Sequence, residues 1–214
     1  MADKVYEKIL QFAADGELYN ELLRARAEFL QRTGHLVESD VDFEKRLSLF
    51  LEWYVLERPL KRVDNKRPIE LYLEQEEAIE DNERVLAERW QESKASLFLV
   101  KRLRKEKIIV YDLLHDKKIK VGERRKVYGL ERGDILEGRL VPLDAEAVGD
   151  FRFSGPTLIL PHQARKQIKT ACKRFRQALH EMDQSIDFVH RAAYLANRCM
   201  RFDKLCPKQV FSEL

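Results

Sequence analysis

The sequence predicts an α+β protein with a helical N-terminal module, a small β-barrel-like module of five or six short strands, and a long C-terminal helix with a heptad pattern. Apolar residues recur at helical spacing up to about residue 95. Short β-rich runs separated by turn residues then follow one another at intervals of about ten residues. Neither glycine nor proline occurs between residues 162 and 202. The predicted domains are therefore residues 1–95, 96–160 and 161–214.

The helical module is clearest between Ser39 and Pro59, where we expect one amphipathic helix. Ser39 followed by Asp42 resembles a capping box, which marks a helix start. The apolar stripe that follows includes Phe50 and Trp53, and it is wide enough to place this helix at the centre of the module. Further helices are expected at residues 5–12, 18–33, 68–73 and 79–90.

The β-rich runs have the length and spacing of strands in a small barrel or a strongly bent sheet. Turn residues separate them, for example Gly133-Asp134 and Ser154-Gly155-Pro156. In one run, Ile119-Lys120-Val121, apolar and polar residues alternate, which indicates that one face of that strand is in water. The expected strands lie at residues 97–100, 108–111, 119–121, 135–141, 151–153 and 158–160.

The C-terminal helix carries an apolar seam whose residues are spaced alternately four and three apart, as in a coiled coil. Forty helical residues would span about 60 Å, so the helix either bends near residues 183–185 or needs a partner. We expect self-association through residues 165–202, giving a homodimer, or packing against the helical module. The helix-packing seam comprises Cys172, Phe175, Leu179, Met182, Ile186 and Val189.

Composition argues against a membrane or secreted protein. The longest apolar runs are far shorter than the ~18–20 residues that span a bilayer. The first residues lack the basic and apolar regions of a secretory signal. The three cysteines form no C-x-x-C pair and are an odd number, which is typical of a reducing compartment. We therefore expect a cytoplasmic location.

The motifs of the common enzyme classes are missing from the sequence, including nucleophile elbows, phosphate-binding loops and H-E-x-x-H. One possible metal-binding set is His180, Asp183, Asp187 and His190, whose spacing places them on one helical face. The same stripe continues through lysine, arginine and asparagine, so a solvated polar face explains it better. We expect no catalytic residues, no cofactor and no metal.

Positive charge is concentrated in the second half of the chain. Residues 96–214 contain 25 basic and 15 acidic residues, whereas residues 1–95 contain 15 basic and 22 acidic residues. Small barrels with basic loops frequently hold nucleic-acid backbones, so we expect an anionic partner, either nucleic acid or an acidic protein. Alternatively, these cations only solubilise the protein or face its acidic half. Aromatic residues such as Tyr111 could stack on bases, but we expect them to belong to the core. The candidate binding residues are Lys101, Arg102, Arg104, Lys105, Lys107, Arg124, Arg125, Lys126, Arg165, Lys169 and Lys173.

Several segments in the middle of the chain resemble, in order and spacing, a poorly characterised bacterial family related to proteins with a SEC-C motif. The resemblance covers residues 40–165 and implies a helical module followed by a β module. The cysteine-rich, zinc-binding SEC-C tail of that family is missing here, so a zinc role is not implied. The matching segments are 50–54, 67–73, 111–114, 133–142 and 151–156.

These observations together favour a non-enzymatic binding or adaptor protein of the bacterial cytoplasm, whose basic β half contacts an anionic partner such as nucleic acid without sequence specificity. One alternative is a protein–protein scaffold or oligomerisation module that acts through the C-terminal helix. Another alternative is an enzyme of unknown class. A deep pocket lined by histidine and carboxylate side chains would favour the enzyme.

Overall fold

The structure is a computed structural model that describes residues 2–75, 79–105, 107–122, 129–143, 150–178 and 182–214. The chain forms two units, one made of Met1–Leu30 and Val37–Ser93 and the other of Gln31–Leu36 and Lys94–Leu214. The first unit is helical, and the second combines a β-barrel with C-terminal helices. The predicted α+β class is therefore confirmed.

The helical unit is built around its third helix. Trp53, Tyr54, Val55 and Leu56 on that helix are all buried, as expected for a central element. The predicted capping box is wrong, because the third helix begins at Phe43 and its N-cap residue is Asp42 rather than Ser39. The Asp42 side chain makes no capping hydrogen bond and pairs instead with Lys45 at 2.6 Å. The helices are α1 (Ala2–Ala13), α2 (Leu18–Thr33), α3 (Phe43–Leu56), α4 (Pro68–Leu73) and α5 (Asp81–Gln91), and the last residues of α2 belong to the second unit.

A buried tyrosine ties three helical segments of this unit together. The hydroxyl of Tyr54 on α3 lies 3.0 Å from the carbonyl oxygen of Ala13 and 3.1 Å from that of Leu18, at the end of α1 and the start of α2. Burial raises the pKa of Tyr54 to about 12. The phenol therefore stays protonated and serves as a hydrogen-bond donor.

The second unit contains a closed five-stranded barrel. The strands are β1 (Lys94–Leu103), β2 (Lys107–Asp112), β3 (Lys117–Gly122), β4 (Ile135–Pro142), β5 (Phe151–Phe153) and a sixth short strand, β6 (Leu158–Ile159). The strand order in the barrel is β1-β2-β3-β5-β4, and an additional pairing between β1 and β4 closes the ring. Neighbouring barrel strands are antiparallel except β3 and β5, which are parallel. Strand β6 pairs with β4 outside the ring.

The first strand of the barrel is buried on both faces along part of its length. Phe98 and Val100 belong to one cluster of buried residues, in which Phe98 packs edge-on against Phe153 with ring centroids 6.0 Å apart. Leu97 and Leu99 alternate with them and belong to a second cluster, which contains residues of the C-terminal helices. A strand with two buried faces reads as a continuous apolar run, as this one does.

The C-terminal part consists of α6 (Arg165–Ala178), α7 (Met182–Arg201) and the short α8 (Pro207–Val210). The rings of Phe175 on α6 and Phe188 on α7 approach each other with centroids 4.8 Å apart. Along one straight helix, thirteen residues would separate them by about 20 Å, which two phenylalanine side chains cannot bridge. The heptad stretch, whose continuity the sequence left open, therefore forms two helices that meet at an angle.

The apolar seam of these helices packs within its own unit. Cys172 and Val189 are buried in the same cluster as Leu97 and Leu99 of the barrel, and Phe175 and Ile186 pack against it while partly exposed. The expected partner was a second copy or the helical module, whereas the contacts described here are with the barrel. Leu179 and the side chain of Met182 lie outside the described residues. Self-association through residues 165–202 stays a prediction.

Residues 31–36 attach to α7 in the second unit. The amide Nδ2 of Asn197 on α7 donates to the carbonyl oxygens of Thr33 at 3.4 Å and His35 at 3.0 Å. Gly34 between them has φ +86°, and a Cβ there would overlap the Asn197 amide. Only glycine combines this backbone conformation with so close an approach.

Candidate functional site

Two rows of side chains cross the outer face of β1, β2 and β3. In the first row, Tyr111 on β2 lies opposite Leu99 on β1 and Lys118 on β3. In the second row, Ile109 lies opposite Arg102 and Lys120. Residues directly opposite on adjacent strands project from the same face of a sheet. The register therefore gathers cations beside two half-buried side chains.

Alternation along β2 and β3 decides which residues belong to this face. On β2, Ile108 and Val110 are buried in the barrel interior, while Ile109 and Tyr111 are half-buried. On β3, Lys118 and Lys120 are exposed and Val121 is buried. Because side chains alternate strictly along a strand, the apolar interior forces the two lysines outward.

A β-bulge in β1 brings a further cation to the face. The register of β1 against β2 shifts between Val100 and Arg102, so that Lys101 is an extra residue in the strand. The Lys101 ammonium lies 5.1 Å from the centre of the Tyr111 ring, in cation–π geometry. Bulges commonly redirect a side chain in this way. We call Lys101, Arg102, Lys118, Lys120 and Arg176, together with Ile109 and Tyr111, the cationic face.

One carboxylate lies at the edge of the cationic face. The hydroxyl of Tyr111 donates to Asp116 Oδ1, and Arg176 Nη2 on α6 lies 3.2 Å from the same oxygen. Arg176 also donates through Nη1 to the carbonyl oxygen of Leu113 at 2.5 Å. The hydrogen bond to Asp116 raises the pKa of Tyr111. Arg176 thus joins α6 to the turn between β2 and β3.

Hydrogen bonds to the buried Asp112 hold this turn in place. Asp112 Oδ1 accepts from Ser96 Oγ at 2.6 Å and from the backbone N–H groups of Leu114 and His115. Its other oxygen lies 2.9 Å from His115 Nδ1. Burial opposes ionisation of Asp112, but the hydrogen bonds from His115 and Ser96 outweigh it and lower the pKa of the carboxyl. These hydrogen bonds therefore fix the start of the turn that carries Asp116.

The predicted cations are only partly gathered here. Lys101 and Arg102 belong to the cationic face, while Arg104, Lys105 and Lys107 lie at the adjoining end of the β1–β2 hairpin. Arg124, Arg125 and Lys126 lie outside the described residues.

Along α6, Lys169 and Lys173 are exposed at helical spacing from Arg176, so they extend its row of positive charge. Arg165, at the start of α6, lies elsewhere. Its guanidinium occupies the space above Gly133, which has φ +98°, and contacts His162.

Lys118, Lys120 and Arg176 are basic residues of the second half of the chain that are not among the predicted candidate binding residues, and the sequence predicts that Tyr111 belongs to the core. Tyr111 does pack against buried residues, yet it stays half-exposed on the outer face. The alternation at Ile119-Lys120-Val121 was the available signal for the lysines. The position of Arg176 depends on how α6 packs, which no local pattern encodes.

The possible metal set on the C-terminal helices is not assembled among the described residues. Asp187 is exposed and forms an ion pair with Arg32, whereas His190 is buried. His180 and the side chain of Asp183 lie outside the described part of the chain. No group of three or more metal-ligating side chains occurs in the part that is described. Within that same part, no helix has the length and apolarity to cross a membrane.

The fold and the site define a mixed α+β protein whose small closed barrel carries a cationic outer face. Comparison with protein families gives a match to a family described as "Family of unknown function (DUF7986)", over residues 3–199. This chain belongs to that family. No curated protein and no solved structure matches it. The match carries no link to SEC-C-motif proteins, so that resemblance stays a prediction.

Proposed function

We propose that this protein binds nucleic acid, without sequence preference, through the cationic face. The observation that carries the proposal is the strand register, which sets Arg102 and Lys120 on either side of Ile109 and places Lys118 beside Tyr111. Cations grouped in this way neutralise several phosphates at once and release their counterions. Scattered surface lysines, which only solubilise a protein, need no such grouping.

The apolar members of the face suit an unpaired strand. Ile109 and Tyr111 are half-buried, so each offers an apolar surface to solvent while its position is fixed by the sheet. Proteins that bind single strands combine a positively charged groove with aromatic side chains on which bases stack. The cationic face combines the same two elements over β2 and β3.

The topology of the barrel supports the same proposal. A five-stranded Greek-key barrel with this strand order is an OB-fold topology, in which the face of strands 2 and 3 binds oligonucleotides or oligosaccharides. Shared topology alone does not assign a function. Here the positive charge of the same face favours the oligonucleotide over the neutral sugar.

The side chains of the cationic face explain why we propose no sequence preference. The ammonium and guanidinium groups of this face would contact phosphates, which carry no sequence information. Asparagine and glutamine side chains read adenine, and the cationic residues of this face include neither of them. These cationic residues are Lys101, Arg102, Lys118, Lys120 and Arg176.

We also propose a cytoplasmic location for this activity. Cys172, Cys199 and Cys206 are all free thiols. Unpaired cysteines are typical of proteins in a reducing compartment.

The test is a fluorescence-anisotropy titration with a labelled single-stranded oligonucleotide at ~50 mM salt. The site variant is Lys118→Glu with Lys120→Glu, and the matched control is Lys204→Glu with Lys208→Glu, which reverses two exposed lysines outside the face. We expect the site variant to lose affinity by at least about tenfold, with a salt dependence shallower by about 1.4 in the log–log slope. The control should lose much less.

Two results would contradict the proposal. An absence of binding by the parent protein at micromolar concentration would remove nucleic acid as the partner and favour an acidic protein instead. Equal losses in the two double variants would mean that net charge, rather than this face, determines binding.

A further inference from the structure

Asp116 is held by groups that are also phosphate ligands. Its Oδ1 accepts from the Tyr111 hydroxyl and lies 3.2 Å from Arg176 Nη2. Guanidinium and hydroxyl donors of this kind bind phosphate oxygens as readily as carboxylate oxygens. Lys101 lies over the Tyr111 ring, and Lys118 lies opposite Tyr111 on β3. The Asp116 carboxylate therefore occupies two donors that suit a phosphate, and two lysines lie on the strands that flank Tyr111.

The Asp116 carboxylate is also placed so that it can leave. Its side chain is 58% exposed, while that of Arg176 is 26% exposed. Exposed ion pairs of this kind contribute little, about 0–1 kcal/mol, so an incoming anion can replace one partner at small cost. Arg176 itself stays anchored, because its Nη1 donates to the backbone of Leu113.

We propose that Asp116 occupies a backbone-phosphate subsite of the cationic face in the free protein and is displaced from Arg176 and Tyr111 when nucleic acid binds. This inference rests on the proposed function. It adds to that function a phosphate subsite formed by named residues and a carboxylate of the same chain that competes with the phosphate for this subsite. Displacement weakens binding, since the carboxylate must give up its donors and then lies close to a phosphate of the same charge. Asp116 thereby lowers the affinity of the face for every nucleic acid.

The backbone conformation of Asp116 allows a substitution that removes its charge and keeps the turn. Asp116 has φ +57°, in the left-handed region that aspartate and asparagine tolerate better than other residues. Asp116→Asn therefore keeps the backbone of the turn and removes only the negative charge. Asp203→Asn is the matched control, because Asp203 is an exposed aspartate of the same unit on the turn after α7.

The experiment measures oligonucleotide affinity by anisotropy for the parent, Asp116→Asn, Asp203→Asn, Arg176→Gln and the Asp116→Asn/Arg176→Gln combination. We expect Asp116→Asn to bind about two- to fivefold more tightly than Asp203→Asn, although both variants gain the same charge. In the Arg176→Gln background, most of that gain should disappear, because the donor that Asp116 competes for is gone.

Each outcome bears on one of the two proposals. Equal gains in the two aspartate variants, or an undiminished gain without Arg176, would overturn the subsite. Tighter binding by Asp116→Asn than by both the parent and Asp203→Asn, with most of that gain lost in the Arg176→Gln background, would support it. If none of the five proteins binds the oligonucleotide, the proposed function itself fails. If all five bind and Asp116→Asn has no specific effect, only the subsite fails.

Discussion

His190 makes the stability of the second unit depend on pH. The imidazole is buried on α7, and burial, together with the nearby positive charge of Arg32, lowers its pKa from 6.5 to about 3. Between about pH 3 and pH 6.5, the imidazole of His190 binds a proton in the unfolded chain but not in the folded protein. Stability is therefore full above about pH 6.5 and falls as the pH drops towards 3.

The size of the effect follows from the two pKa values. At pH 5 the proton taken up by the unfolded chain costs about 2 kcal/mol of folding stability relative to pH 7. Any folded-state pKa below about 4 gives nearly the same figure, because the folded imidazole is then neutral at pH 5. His190→Gln removes this titration and keeps a polar side chain. The stability lost between pH 7 and pH 5 should thus be about 2 kcal/mol smaller in the variant than in the parent.

The assay is urea unfolding at pH 7 and pH 5, followed by far-UV circular dichroism and tryptophan fluorescence together. Both tryptophans, Trp53 and Trp90, belong to the helical unit, so fluorescence reports on the unit that lacks His190. We compare the stability lost between pH 7 and pH 5 in the parent with the same loss in the variant. Any effect of the substitution on stability that does not depend on pH cancels in this comparison. Equal pH dependence in parent and variant by circular dichroism would refute the buried, neutral state of His190.

Two further predictions concern the core of the second unit. Phe211 is 1% exposed, so Phe211→Ala should lower the free energy of unfolding by about 3–5 kcal/mol in urea titrations. Ser212→Ala at the exposed neighbouring position removes only the hydrogen bond from the Ser212 hydroxyl to the Gln209 carbonyl oxygen and should cost about 1 kcal/mol or less. Comparable losses in the two variants would contradict the packing of Phe211. Burial raises the pKa of the Cys172 thiol to about 12, whereas Cys206 is exposed. Iodoacetamide at pH 8 should alkylate Cys206 in the native protein and Cys172 only after unfolding, and mass spectrometry showing equal rates would contradict this assignment.

The strands could be predicted because local patterns and turn residues agree there. The run expected at 135–141 is the observed β4, Ile135–Pro142, and the turn before it contains Gly133 at φ +98°. The heptad seam was less informative. Spacings of three and four describe any amphipathic helix, whether it packs on a helix or on a sheet. Only the long-range contact between Phe175 and Phe188 reveals two helices.

The positive charge of the candidate site could be predicted from the sequence, but the residues that form the site could not. Clustering of basic residues near Lys101 and Arg102 is visible in the sequence. Their assembly with Lys120 depends on the register of three strands and on a one-residue bulge, and a shift of one residue would turn every side chain to the opposite face. The sequence predicts a core position for Tyr111, because half-buried and fully buried aromatic residues have the same local sequence pattern.

The most direct test of nucleic-acid binding is a map of where the ligand touches the protein. We would titrate ¹⁵N-labelled full-length protein with a single-stranded oligonucleotide of about 20 nucleotides at ~50 mM salt and follow the amide resonances. We expect the largest shifts at residues 99–102 and 109–120, continuing to residues 169–176 of α6. Shifts confined to the helical unit, or no shifts on β1, β2 and β3 at saturating ligand, would contradict it.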